Sequence, residues 1–219
     1  MEKLNITLNP QQKIFFTSDH HFGHRNILNF CHRPFENEKH MAEELVRLWN
    51  ETVGVDDYVF SLGDFSWWTD RHSVKKIVNK LNGKKYFIPG NHCTRKMYEL
   101  CDPTTDLGTF HLCEDITVLY LRGEEGDTRF TKNTYEIVLC HYPLATYSHI
   151  DRGALQFFGH IHSFKDSPMT EFDKTFQLKY NQQFDVGCDR HDYKPVEFFK
   201  LLKEMEDYKY WDLHLPRNI

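Results

Sequence analysis

The chain has 219 residues, 40% apolar and 27% charged. That balance fits a globular protein with mass enough for a sizeable core and excludes a disordered or fibrous chain. Lys and Arg number 27 against 32 Asp and Glu, a formal net charge of −5. Non-specific nucleic-acid binding rests on basic side chains neutralising phosphates, so that class is disfavoured, and the lack of basic stripes disfavours long nucleic acid in particular. No signal peptide is visible and no apolar run approaches the ~18 residues of a membrane span. Six Cys without a C-x-x-C pair read as reduced thiols. The expected location is therefore cytoplasmic, with no membrane partner. Oligomeric state is not legible. Without repeats or Gly/Ser linkers, residues 1–219 read as one domain.

In chain order, residues 1–12 are a polar lead-in or edge strand. The apolar run Ile14-Phe15-Phe16 reads as a buried strand that stops at Thr17-Ser18-Asp19-His20-His21. Arg25 to Cys31 suggests a short helix, broken at Arg33-Pro34. From Asn37 to Thr52, Met41, Leu45, Leu48 and Trp49 repeat with helical spacing behind Asn37 as N-cap. Asp57 to Leu62 is a second strand, ending in Gly63-Asp64. Residues 70–82 predict a helix stopped by Asn82-Gly83. Lys85 to Ile88 is a third strand, ending in Pro89-Gly90-Asn91-His92. The first ninety residues thus alternate β-α-β-α-β, the pattern of a mostly parallel sheet with helices on its faces. Ile116 to Leu121 and Tyr135 to Cys140 read as a long hairpin, the second strand ending in His141. Leu155 to Phe158 is a strand ending in Gly159-His160-Ile161-His162. Phe176 to Val186 holds further strand, and Pro195 to Met205 a C-terminal helix.

Five apolar runs therefore end in metal-ligand residue types: Asp19/His21, Asp64, Asn91/His92, His141 and His160/His162. One such end is chance; five are poorly explained by surface scatter. In α/β sheets the carboxyl ends of strands are where ligands bind. Mixed oxygen and imidazole donors suit borderline divalent ions. Two metals about 3.5–4 Å apart would clamp a phosphoryl group and activate a bridging water. Asp19, His21, Asp64, Asn91, His141, His160 and His162 supply seven ligands; if Asp64 bridges, each metal receives four protein groups. The other histidines, His20, His32, His40, His72, His111, His149, His191 and His214, read as surface scatter.

Asp19-x-His21, Gly63-Asp64, Gly90-Asn91-His92, His141 and Gly159-His160-x-His162 resemble, in order, the five blocks of the calcineurin-like metallophosphoesterases. The compact spacing is similar to small uncapped bacterial and phage members, and the Ser-Asp-His-His-Phe-Gly-His opening resembles one small subgroup. The resemblance implies a four-layer αββα sandwich of two mixed sheets. It implies Asp19, His21, Asp64 and His162 on one metal, and Asp64, Asn91, His141 and His160 on the other. His92 would contact the phosphoryl oxygen and protonate the leaving group. The implied activity is hydrolysis of phosphate esters by a metal-bridging hydroxide. The two divalent ions are expected to be manganese first, with iron, zinc, nickel or magnesium as alternatives. One departure is Cys93, where the family usually has an acid beside the His; a neutral thiol would orient His92 less well.

Small phosphodiesters or nucleotides are the expected substrates, because an uncapped chain leaves the metals accessible. The alternatives are a phosphomonoesterase or protein phosphatase, a non-catalytic scaffold on the same fold, and a metal-binding regulatory protein. His24 either contacts the phosphate or caps its loop. Arg33, with Arg's bidentate fit to phosphate, either joins His24 and Asn91 in binding substrate or pairs with Glu36 or Glu38. Trp67 and Trp68 either stack a base or, more simply, pack their loop. Asp185 is either a strand end or a carboxylate that orients a ligand histidine.

Overall fold

The structure, a computed structural model, describes residues 1–68, 70–93, 110–164 and 182–212. It is an α/β sandwich of two five-stranded mixed sheets. One sheet has the order β1-β6-β7-β8-β9, formed by Glu2–Leu8, Ile116–Gly123, Tyr135–Cys140, Leu155–Phe158 and Gln183–Asp185. The other has the order β10-β2-β3-β4-β5, formed by Val196–Glu197, Ile14–Thr17, Tyr58–Leu62, Lys84–Ile88 and Phe110–Leu112. The expected hairpin is present, β6 pairing antiparallel with β7 from Ile116↔Cys140 to Leu121↔Tyr135. The lead-in is an edge strand, β1, running parallel to β6.

Side chains alternate across a strand, and here both faces of the second sheet are buried. Phe15, Val59 and Phe87 point to one side, where they meet Met41, Leu45, Trp49, Val74 and Ile77. These belong to α2 (Glu38–Thr52) and α3 (Arg71–Val78), which follow the short α1 (Ile27–Phe30). Phe16, Phe60, Leu62 and Ile88 point the other way, into an inter-sheet core with Leu119, Leu139 and Phe157. That two-sided burial is why these runs read as continuous apolar stretches rather than alternating ones. The C-terminal helix α4 (Phe198–Asp212) adds Phe198, Leu201 and Met205 to the same inter-sheet core.

Caps set the helix starts. The Asn37 side chain accepts from the amides of Lys39 and His40, and Asp70 accepts from Ser73. Two boundaries differ from expectation. The third helix stops at Val78 because the end of α2 captures the chain beyond it: Trp49 Nε1 donates to Asn82 O at 3.0 Å and Asn82 N to Asn50 Oδ1 at 2.8 Å. The last helix starts at Phe198, not Pro195, because Val196 and Glu197 are drawn into antiparallel pairing with Phe16 and Phe15. Of the strand expected over 176–186, Gln183–Asp185 is observed and 176–181 lie outside the described residues. No helix among the described residues is long and apolar enough to cross a membrane.

His20 and His191 are buried, not surface residues. Burial pushes the His191 imidazole down to about 4, against a bond to Asp185 O, and pushes His20 down to about 3. An unfolded histidine takes its proton near 6.5, so below that pH the unfolded chain binds more protons and stability falls. Asp185 works in the opposite sense: burial raises it to about 6, so the fold keeps a proton the unfolded chain has lost. Of these three groups two oppose one, so together they make the fold less stable in acid. His191→Gln is expected to shrink the loss of melting temperature between pH 7 and pH 4.5, by up to about 2 kcal/mol in stability. Identical pH slopes in the variant and the native chain would refute this.

Candidate metal centre

β2, β3 and β4 run parallel, as do β7, β8 and β9. The two sets bring their carboxyl ends to one rim. The sheets are tied there by a Ser18–Gly187 bridge and by His141 Nδ1, 2.8 Å from Leu62 O. All seven sequence-predicted ligand residues meet at this rim.

Their backbones are unusual. Asp19, His21, Asp64, His160 and His162 have φ of 60°, 52°, 46°, 72° and 47°. Non-glycine residues avoid this left-handed region, and each such residue costs on the order of 1–3 kcal/mol unless its surroundings hold it. Five of the nine described non-glycine residues with positive φ are candidate ligands, so the strain is concentrated where function would use it. Cross-strand bonds hold the turns: Asp19 N to Gly63 O at 3.2 Å, His21 N to Asp64 O at 2.9 Å, and Gly159 N to His141 O at 3.0 Å. Glycine makes the close approach. A Cβ on Gly159 would stand 2.3 Å from Asp19 Oδ2, and one on Gly63, at φ +95°, 2.3 Å from His141 Nδ1.

One donor group comprises Asp19, His21 and His162. The Nε2 atoms of His21 and His162 face each other at 3.3 Å and lie 4.0 and 3.8 Å from Asp19 Oδ1. That oxygen is fully buried and makes no hydrogen bond. A partnerless buried carboxylate oxygen is costly, and a cation among these three atoms would satisfy it. A second group joins Asn91 Oδ1 to His141 Nε2 at 2.8 Å and His160 Nδ1 at 3.0 Å. Nδ1 of His141 is engaged with the Leu62 carbonyl, so Nε2 is the ring nitrogen left facing the centre for a cation. Asp64 lies between the groups. Its Oδ1 accepts from the amides of His92 and Cys93 at 2.8 and 3.3 Å, while Oδ2 lies 3.8 Å from His21 Nε2 and 3.5 Å from His141 Nε2. One oxygen is thus held by backbone and the other looks both ways, as a bridging ligand requires. Oxygen plus imidazole donors in this arrangement fit two borderline divalent cations.

The carboxylates favour positive charge here, while burial opposes it at His21 and His160. Burial would raise Asp64, but its bond to His141, that ring's charge and the His92 amide hold it well below the usual carboxylate range. Burial would lower His162, yet its bonds to Asp189 and Cys31 and the charge of Asp19 carry it up to about 11. His21 goes the other way, driven down by burial. Burial would likewise lower His141, but Asp64, Asp19 and the Leu62 carbonyl leave it raised.

Four expectations need correction or sharpening. Arg33 is not at the mouth of the site: it is 4% exposed. Its Nε and Nη2 make a two-point contact with Asp189 at 2.8 Å each, and its Nη2 and Nη1 donate to the carbonyls of Asp19 and His20 at 2.6 and 2.8 Å. The guanidinium is therefore spent inside the protein, on neither a phosphate nor Glu36 or Glu38. Asp189, which sequence reasoning missed, is the carboxylate that meets a candidate ligand histidine, with Oδ2 2.8 Å from His162 Nδ1. Asp185, the residue suspected of that role, instead accepts from Ser163 Oγ at 2.6 Å and Gly187 N at 2.7 Å and braces the loops. The only signal for Asp189 was a second carboxylate soon after β9.

Cys93 does not stand in for an acid that orients His92. It is 0% exposed; Sγ donates to Ser66 O at 2.7 Å and accepts from Ser66 N at 2.9 Å. The thiol fastens the Asn91 loop to the loop after Asp64. Cys93→Asp would bury a carboxylate against a carbonyl oxygen, and is expected to lower the melting temperature markedly while Cys93→Ser does not. Thermal melts of the two variants check this. The His92 side chain is exposed, its ring centroid 5.6 Å from that of His21. His24 lies beside both, 5.4 Å from His21, with Nδ1 buried and unpartnered; burial chiefly, with the charge of His92, lowers its pKa. Trp68 packs with the α2/α3 core, whereas Trp67 stays exposed.

No protein-family model matches the chain. It is 40% identical over 84 residues to the uncharacterized protein MJ1445 of Methanocaldococcus jannaschii, a match covering 37% of this chain and 47% of that one. It is 34% identical over 80 residues to the Gene 66 protein of Mycobacterium phage L5, covering 36% and 38%. The Gene 66 protein of Mycobacterium phage D29 is 37% identical over 84 residues, covering 36% and 39%. The matched segment spans less than half the length of each of these curated relatives. Among solved structures, the protein of unknown function AQ665 from Aquifex aeolicus superposes with a TM-score of 0.59 at 20% identity, over 91% of this chain and 100% of that one. That likeness concerns the fold alone.

Proposed function

We propose that this protein is a metal-dependent hydrolase of phosphate esters, a metallophosphoesterase that binds two divalent cations, manganese foremost. Asp19, His21, Asp64 and His162 would hold one, and Asp64, Asn91, His141 and His160 the other. Bound there, such cations would neutralise phosphoryl charge and provide a nucleophile from water at neutral pH. The observation that carries the reading is Asp64 Oδ2, aimed at both imidazole groups while Oδ1 is fixed by two backbone amides.

The chain's own residues then divide the work. Asp189 holds the His162 ring so that Nε2 faces inward, and Arg33 fixes Asp189 and the Asp19–His20 turn as one unit. His92, braced through its backbone rather than its ring, leaves an exposed imidazole beside the centre. It is the group placed to give a proton to a departing oxygen. The open rim leaves the centre accessible to small phosphodiesters or nucleotides, and the acidic overall charge disfavours long nucleic acid; a phosphomonoesterase or protein phosphatase is the alternative. A non-catalytic scaffold is disfavoured because no ligand position is lost.

Purified protein incubated with manganese is expected to carry close to two ions per chain and to hydrolyse bis-p-nitrophenyl phosphate. Elemental analysis finding at most one ion, or inactivity toward that ester, p-nitrophenyl phosphate and cyclic nucleotides with Mn, Ni, Zn and Mg alike, would overturn the proposal.

A further inference from the structure

Large apolar side chains left in water mark surfaces that bind something when they cluster. Among the described residues, the exposed large hydrophobics include four aromatics, Phe30, Trp67, Tyr142 and Phe164. Three of their rings contact imidazoles of the centre. Phe30 meets His24 at 6.3 Å, Trp67 meets His24 and His92, and Tyr142 lies 4.8 Å from His160 and 5.0 Å from His141. The fourth, Phe164, follows His162 by two residues. Among the described residues, the exposed aromatics are thus gathered at this rim.

Trp67 is the best defined of the four. Its neighbour Trp68 is turned inward, so close to Gly23 that a Cβ there would meet Trp68 Nε1 at 2.2 Å. The Trp67 amide is pinned to Phe22 O at 2.9 Å. The indole lies flat on His24, with centroids 4.0 Å apart and planes 7° apart, and its centroid is 4.9 Å from that of His92. A tryptophan held this rigidly and still 44% exposed is a pre-ordered stacking surface, with little side-chain entropy left to lose on binding. On the opposite half, Tyr142 and Ile116 line a cleft of about 390 Å³ beside His141, the size range of small-ligand sites.

We propose that Trp67 is a stacking platform for a nucleobase, so that the substrates are nucleotide esters whose base lies on the His92 side of the phosphate. This rests on the phosphoesterase reading and adds the substrate class. Every base has a π-face, so such a platform selects nucleotides as a class and does not discriminate among bases.

Calorimetry on the manganese-loaded protein with AMP and with ribose 5-phosphate separates the two claims. Base stacking should make AMP bind about 5- to 150-fold more tightly than ribose 5-phosphate. Trp67→Ala should abolish that advantage and leave ribose 5-phosphate affinity unchanged, while Trp67→Phe retains most of it. If ribose 5-phosphate binds and AMP gains nothing, or if Trp67→Ala keeps the AMP advantage, the platform is refuted and the phosphate site stands. If phenyl phosphate gains as much as AMP, the nucleobase assignment is refuted. If neither sugar phosphate binds, the phosphoesterase reading falls and the platform with it.

Discussion

Asp64→Asn is expected to abolish both metal sites at once. Oδ1 of Asp64 accepts two backbone amides, a role an asparagine oxygen keeps, but Oδ2 lies 3.8 Å from His21 Nε2 and 3.5 Å from His141 Nε2. Asparagine would place an NH₂ there, donating where a shared anionic ligand is needed. The backbone is a fair control, since position 64 has φ 46° and Asn tolerates the left-handed region better than other non-glycine residues. Metal that binds only the folded state stabilises by about 4 kcal/mol per site at a thousandfold excess over Kd. For a chain of this length that is roughly 8–16 °C in melting temperature. EDTA should therefore lower the native melt by at least that order and leave the Asp64→Asn melt nearly unchanged. Two ions retained in the variant, counted by elemental analysis, would remove Asp64 from the bridging position.

His92→Ala should separate turnover from metal content. The bond that ties this residue to the centre runs from its backbone amide to Asp64, and alanine keeps it. The lost part is the exposed imidazole between Trp67 and His21. General acid–base groups typically contribute about 10²–10⁴-fold, so kcat should fall by that order on esters with poorly departing groups. It should fall less on p-nitrophenyl esters, whose leaving group needs little protonation. Equal losses across leaving groups would make His92 a phosphate contact without an acid role, and loss of metal would make it a ligand.

The two results address different links of the same chain. Asp64 concerns what assembles the centre, and His92 what the assembled centre can do to a bound ester. Arg33 bears on neither directly. Breaking its buried pair with Asp189 would leave an uncompensated charge, a cost of about 3–5 kcal/mol, so its substitution would report on folding before function.

Much of the architecture was written locally and could be read without coordinates. A buried strand such as Phe60-Ser61-Leu62 declares itself by an apolar run, and its end by Gly63-Asp64; a helix such as α2 declares itself by its spacing and by Asn37. These signals act over a few residues, so β2, β3, β4, the β6–β7 hairpin and α2 fall where expected. So do the polar residues at their carboxyl ends, and parallel strands then carry those ends to one rim. What the sequence could not show was settled over long separations. Arg33 and Asp189 are 156 residues apart, and His162 and Asp189 27. Nothing local distinguishes an arginine reaching for phosphate from one clamping two loops. Trp67 and Trp68 are chemically identical neighbours, and only the space beside Gly23 decides that one is packed and the other presented. The left-handed turns at Asp19, His21, Asp64, His160 and His162 carry a local backbone cost, even though Asp and His enter this region more readily than most residues. They exist because cross-strand hydrogen bonds, made only once both sheets are in place, outweigh the local cost.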